Sequence, residues 1–279
     1  MPLKEINILR RHGRQYVPDL REAVLPEIFR GRPVISGDIT AAEAELVRNL
    51  CPVDAVGVDP AAGLPGPLVA GSSGMDQFRC TIDLGKCVFC RECAFALPGK
   101  IGFTHDYKIA TNVRDRLIVA SGIDQPVRLD PDKVRREIRS LFRHALKLRQ
   151  VSAGGDNSAE MELNAAGNVN FDMGRYGIEF VASPRHADGI VITGPIPQNM
   201  SEALQICYDA VPSPKIIVLV GTDAISGGIF SGGAALNREF LTRFPVDLYV
   251  PGNPPHPLTF INGILDLIAP GKGFRKKNG

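Results

Sequence analysis

The stretch Cys87-Val-Phe-Cys90-Arg-Glu-Cys93 sets three thiols at a pitch of three residues. Three cysteines at this pitch in one short loop can wrap a single iron–sulfur cluster, whereas zinc sites usually present C-x2-C pairs separated by a longer span. Two further thiols lie upstream, Cys80 and Cys51, so five of the six cysteines fall within residues 51–93. In a reducing compartment such clustering favours metal over disulfides. Cys51, Cys87, Cys90 and Cys93 form the expected ligand set of one [4Fe–4S] cluster. A zinc site or unrelated thiols is the competing reading. Cys80 reads as a buried thiol, with a substitute cluster ligand as its alternative. Cys207 falls on the apolar register of an expected helix and reads as core.

The positions around this set carry a second pattern. A bacterial two-cluster run continues after its third cysteine with x3-C-P, but here Leu97 stands before Pro98. Cys51-Pro52 has the form of the C-P end of another run, and counting back at the same spacing gives Val47, Ala44 and Ala41. In two-cluster chains the fourth cysteine of each run ligates the other run's cluster. On that crossed scheme Ala41, Ala44, Val47 and Leu97 are the positions vacated by a second cluster, while the first keeps a complete set. A different loop, "VSAGGDNSAEMEL" over Val151–Leu163, has glycines for a tight turn and a polar, acidic helix start, but no cysteine.

These residues need elements to hold them. "GIVITG" (189–194), "KIIVLVG" (215–221) and "VDLYVPG" (246–252) are β-branched apolar runs ending in glycine, the pattern of buried parallel strands. "NMSEALQICYDAV" (199–211) and "HPLTFINGILDLI" (256–268) read as helices. Strand–Gly–helix alternation predicts an α/β fold, a flavodoxin-like doubly wound parallel sheet, with functional loops at the carboxyl ends of its strands. Residues 151–163, 221–228 and 252–255 should therefore converge. Asp130 as N-cap and Pro131 at the first helical position predict a helix whose apolar face carries Val134, Ile138, Leu141, Phe142, Ala145 and Leu148. Its other face is basic, as on a solvated surface helix or one that docks an acidic partner or anionic membrane.

The expected organisation is an N-terminal extension (1–37), a small α+β ferredoxin-like [4Fe–4S] domain (38–120), a linker with the basic amphipathic helix (121–148), and the parallel-sheet domain (149–279). At 279 residues, 44% hydrophobic and 22% charged, the chain is of folded, globular composition. A net charge of +2 gives no ground for a nucleic-acid partner. No run of eighteen apolar residues is present, and "MPLKEINILRRHGRQ" lacks the apolar core of a signal peptide, so an intracellular chain is expected.

"RYGIEFVASPRHADGIVITGP", "GTDAISGGIF" and "VDLYVPGNPPHPLTFINGIL" closely resemble the small subunit of energy-converting (group 4) [NiFe] hydrogenases and its complex I counterpart, the B-type subunit of NADH:quinone oxidoreductase. This likeness covers about residues 130–270. A less specific one, over about residues 20–110 with "YVPDLREAVLPEIFRGRPVIS" as its lead-in, is to the ferredoxin-like polypeptides of the same complexes. In that family a C-x2-C pair after the first strand, one cysteine after G-T/D and one after P-G hold the proximal [4Fe–4S] cluster. Carried onto this sequence, those positions are Asp156, Ala159, Asp223 and Asn253, so the resemblance implies that the proximal cluster is absent. Water and side-chain hydrogen bonds are the expected filling, with a hard cation on Asp156, Asp223 and the Asn253 carbonyl as the alternative. His256 and Arg175 are candidate partners for the carboxylates; His186 reads as loop structure.

The resemblance implies an iron–sulfur, electron-transfer subunit of an oxidoreductase complex, not catalytic alone, with one [4Fe–4S] cluster as its cofactor. Its implied partners are a large-subunit homologue, membrane subunits and a ferredoxin-like redox partner. Its implied place is cytoplasmic, peripheral on the inner face of a membrane through those subunits. The alternative is a structural scaffold that docks the large subunit, its remaining cluster a staple or redox sensor.

Overall fold

A computed structural model describes residues 16–60, 69–70, 77–142 and 145–268. The N-terminal half contains two strand–helix–strand units. The first is β1 (Pro33–Ile35), α1 (Ala41–Leu50) and β2 (Val56–Pro60), followed by the short β3 (Val69–Ala70). The second is β4 (Gln77–Asp83), α2 (Glu92–Ala96) and β5 (Ile101–Phe103). β1 pairs antiparallel with β5, and β2 with β4, so the units close on each other. β6 (Ile118–Ala120) adds to the open side of β4. This unit begins before residue 38, because Pro33–Ile35 is the strand that completes β5. α1 starts in a capping box: the Thr40 hydroxyl accepts from Glu43 N, and the Glu43 carboxylate accepts from Thr40 N.

The helix expected from Pro131 breaks up. A 3-10 turn spans Pro131–Lys133, with Asp130 capping it as expected, and α3 covers only Arg136–Leu141. β7 (Leu146–Ser152) occupies the rest of the stretch. Leu146 and Leu148 are buried while Lys147 between them is exposed, a strand alternation that the same residues also offer to a helical reading. Leu141, expected on the apolar face, is 60% exposed. Arg135 does not belong to a free basic face: its guanidinium clasps Asp247, with Nε and Nη2 each 2.9 Å from the carboxylate.

After β7 come α4 (Ser158–Ala166), β8 (Ile178–Phe180), β9 (Gly189–Thr193), α5 (Gln198–Ala210), β10 (Ile216–Val220), α6 (Thr222–Ser226), α7 (Glu239–Arg243), β11 (Leu248–Val250) and α8 (Pro257–Ile268). Strands β8, β7, β9, β10 and β11 form, in that order, a five-stranded parallel sheet. β9 and β10 are buried at every residue, as central strands covered on both faces must be. The sheet is the expected flavodoxin-like doubly wound fold. Its strand order reverses between β7 and β9, the switch point at which such sheets form their ligand crevice. One hydrophobic cluster runs through both halves, joining Ile82, Leu84 and Cys87 to Ile190, Ile217 and Ile225. Among the described residues no helix is long and apolar enough to cross a membrane.

Candidate functional sites: a thiol pocket and a switch-point pocket

The loop after β4 opens with a tight turn, in which Lys86 N and Cys87 N both donate to the Asp83 carbonyl at 3.0 and 2.9 Å. Arg114 grips the Asp83 carboxylate with two hydrogen bonds, 2.8 and 2.6 Å, and so fixes the turn from the side. Beyond it Phe89 and Arg91 take positive φ, +54° and +73°, conformations that cost energy for residues with a Cβ and that curl the loop back on itself. Cys87, Cys90 and Cys93 consequently line one pocket together with Cys51, which arrives from the end of α1. Val53, Val56, Ile82 and Phe103 give it apolar walls, and Arg91 also borders it.

Backbone amides point at sulfur: Ala55 N donates to Cys51 Sγ and Phe89 N to Cys87 Sγ, each at 3.3 Å. Burial pushes the Cys87 thiol up to about 12 and the Cys93 thiol up to about 11, and the neighbouring thiols act in the same direction. Cys87 and Cys93, raised in this way, hold their protons unless a cationic centre binds their thiolates. All six cysteines are unbridged. Among the described residues no three His, Cys, Asp or Glu side chains sit close enough to hold a single metal ion. The donor set, the apolar walls and the amides aimed at sulfur suit an iron–sulfur cluster, in which each thiolate binds a separate iron.

The other cysteines lie elsewhere. Cys80 is buried within β4 and does not border the pocket. Cys207, on α5, is half-buried and borders an open surface cavity with Arg149 and Met200. Ala41, Ala44 and Val47 sit on α1 rather than on a loop; Ala44 and Val47 are fully buried, Ala41 is exposed, and Leu97 is buried where α2 ends. Packed apolar side chains therefore fill three of these four positions.

The second pocket lies at the carboxyl ends of β7, β9 and β10. Asp156, Ala159, Asp223 and Asn253, far apart in sequence, all line it. The close approach of two loops makes this possible: a Cβ on Gly194 (φ +84°) would sit 2.4 Å from Gly155 N. Gly228 (φ +56°) likewise leaves room for Asp223, whose Oδ1 a Cβ there would strike at 1.9 Å. Asp156 and Asn253 form an exposed rim, Asp223 is half-buried, and Ala159 lies inside.

Sequence reasoning missed the residues at the bottom. Glu160 is 4% exposed, and its Oε1 accepts from the Ser152 and Thr193 hydroxyls at 2.6 Å each. Thr222 is 1% exposed. The signal for both was adjacency: Glu160 stands one helical turn after Asp156, and Thr222 immediately precedes Asp223. The two aspartates shift in opposite directions. Burial raises Asp223 above the ordinary carboxylate range, with the charges of Asp156 and Glu160 adding to it. Asp156 is instead lowered, because the Ser158 hydroxyl and amide both donate to its Oδ1 at 2.6 and 2.9 Å.

Neither expected partner reaches these carboxylates. Arg175 donates to the Val17 carbonyl and lies over Tyr16 and Tyr176. His256 packs edge-on against Phe29 and Phe171 and borders a different cavity, and burial lowers it to about 4. His186 is exposed on its surface turn.

The parallel sheet, its strand order and the pocket at its switch point define an α/β protein of the doubly wound class. Residues 157–267 match the family described as NADH ubiquinone oxidoreductase, 20 kDa subunit. A probable membrane-bound hydrogenase subunit of Pyrococcus furiosus is 34% identical over 41% of this chain and 69% of its own length. An uncharacterized protein of Methanocaldococcus jannaschii is 36% identical over 50% of this chain and 95% of its own length. The B-type subunit of the NADH-quinone oxidoreductase of Citrifermentans bemidjiense is 35% identical, covering 52% and 85% respectively. The chain belongs to this family.

Proposed function

We propose that the chain is an iron–sulfur subunit of a membrane-associated assembly of the complex I or hydrogenase type, carrying one [4Fe–4S] cluster on Cys51, Cys87, Cys90 and Cys93. The observation that carries this reading is the convergence of these thiols on one apolar pocket with amides directed at sulfur. Such a cluster accepts and donates single electrons. The chain's own residues set the conditions: burial keeps water from Cys87, the amides favour negative charge on the Cys51 and Cys87 sulfurs, and Arg91 beside the pocket favours the reduced form. At the switch-point pocket two carboxylates, a methyl group and an amide stand at the positions the resemblance assigns to a proximal cluster. That set cannot replace four thiolates, so we assign no cluster there.

The names of the relatives support the assembly: they are subunits of a membrane-bound hydrogenase and of NADH-quinone oxidoreductases. The partners on this reading are a large-subunit homologue and membrane subunits, with the chain peripheral to the membrane. The missing proximal ligands favour a second reading, in which the parallel-sheet half is a docking scaffold and the remaining cluster staples the smaller unit.

Iron and sulfide counting with electron paramagnetic resonance on the anaerobically purified full chain tests the proposal. About four irons per chain and one cluster signal are expected. A second cluster signal, or no iron at all, overturns it.

A further inference from the structure

The switch-point pocket contains a cavity of about 10 Å³, room for one water-sized particle. The polar side chains of its lining residues are those of Asp156, Ser158, Glu160, Thr222, Asp223 and Asn253. Glu160 Oε1 is held by two hydroxyls, but its other oxygen, Oε2, is buried without a hydrogen-bond partner. The Thr222 hydroxyl, from the opposite strand end, is also buried without a partner. Asp223 forms part of the wall, and Asp156 and Asn253 stand at the rim. No Lys, Arg or His side chain lines the cavity among the described residues. Arg238, half-buried nearby, donates instead to the main-chain carbonyls of Pro195, Asp223, Ala224 and Ile225.

A buried carboxylate oxygen that receives no donor is costly, and so is an orphaned buried hydroxyl. One particle that supplied positive charge and accepted oxygen donors would relieve both. We propose that this pocket binds a single hard divalent cation through Glu160, Asp223 and the Thr222 hydroxyl. The donors are oxygens, which selects magnesium or calcium over softer ions. Two carboxylates balance the charge of a divalent ion. The third, Asp156, has its Oδ1 engaged by Ser158, in keeping with the lack of any three-carboxylate group tight enough for a metal. The ion would tie together the loops after β7 and β10, a role that needs no thiolate and no electron transfer.

Isothermal titration calorimetry of the full chain, freed of divalent ions by gel filtration, with Mg2+ and Ca2+ in a potassium buffer tests this. One saturable ion per chain is expected, with at least tenfold weaker binding in Asp223→Asn and Glu160→Gln. Thr222→Val, nearly isosteric and the least disturbing to folding, should weaken binding several-fold. Absence of saturable binding to the wild type, or equal affinity in wild type, Thr222→Val and Asp223→Asn, overturns the proposal. So does a protonated-carboxyl infrared band at pH 7 that Asp223→Asn abolishes, which would mean that a proton fills the role. Iron content is read separately, so failure here is distinct from failure of the one-cluster assignment.

Discussion

Cys51 and Cys80 make opposite demands on experiment, although both are thiols of the same half of the chain. Cys51 borders the thiol pocket and accepts from the Ala55 amide, whereas Cys80 is sealed within β4. Cys51→Ser should lower iron content and weaken or abolish the cluster signal, and Cys80→Ser should leave both unchanged; iron analysis of the two variants checks this. Asp223 offers a second test. Its carboxyl is raised by burial, so the native state holds a proton more tightly than the unfolded chain. Stability is therefore lost as pH rises above the ordinary carboxylate value, in buffer without divalent ions. Asp223→Asn should remove that loss and raise the melting temperature at pH 7 in such buffer, by differential scanning calorimetry.

At the level of elements, two anchors hold the sites in place. Glu43 caps α1 and also receives Lys100 Nζ at 2.8 Å, which joins the helix carrying Cys51 to the strand side of the second unit. The Lys100 ammonium and the Thr40 donors lower Glu43 to about 2. Its contribution is thus present above the ordinary glutamate value near 4.5 and is lost as pH falls through about 2. Acid titration followed by circular dichroism should show a shallower loss over that window in Glu43→Gln. In the parallel sheet, the Asp247 carboxylate accepts from Arg135 and from Ile217 N at 2.9 Å, pinning the segment before β7 to β10. Asp247→Ala leaves a buried amide without a partner and should cost about 1–3 kcal/mol in denaturant unfolding.

The whole molecule joins its two chemistries through packing. Gly85, in the turn that presents the cysteines, lies so close to Ile225 that a Cβ would meet its Cγ2 at 2.8 Å. Ile225 belongs to α6, the helix that also carries Thr222 and Asp223 of the other pocket. Both halves also share one hydrophobic cluster. Events in the thiol pocket should therefore be felt in the parallel sheet. Removing iron from the full chain should raise hydrogen exchange in α6 as well as in residues 84–93. Exchange changes confined to the thiol loop would show instead that the halves respond independently.

The sequence by itself determined the chemistry available and the strands that are buried on both faces. Three thiols at fixed pitch need only be counted, and the unbroken apolar runs at 189–193 and 216–220 admit no amphipathic reading. Tertiary structure decided what local pattern left open. The apolar spacing from Val134 to Leu148 suits a helix as well as it suits a turn followed by a strand. The place between β8 and β9, where Leu146 and Leu148 become buried and the strand's amides find carbonyls, settled it as β7. The same holds for the switch-point pocket. Asp156, Asp223 and Asn253 could be named from their motifs, but only strand order brings them together. Only packing puts Glu160 and Thr222 beneath them, where removal from water turns ordinary polar side chains into groups that need a partner.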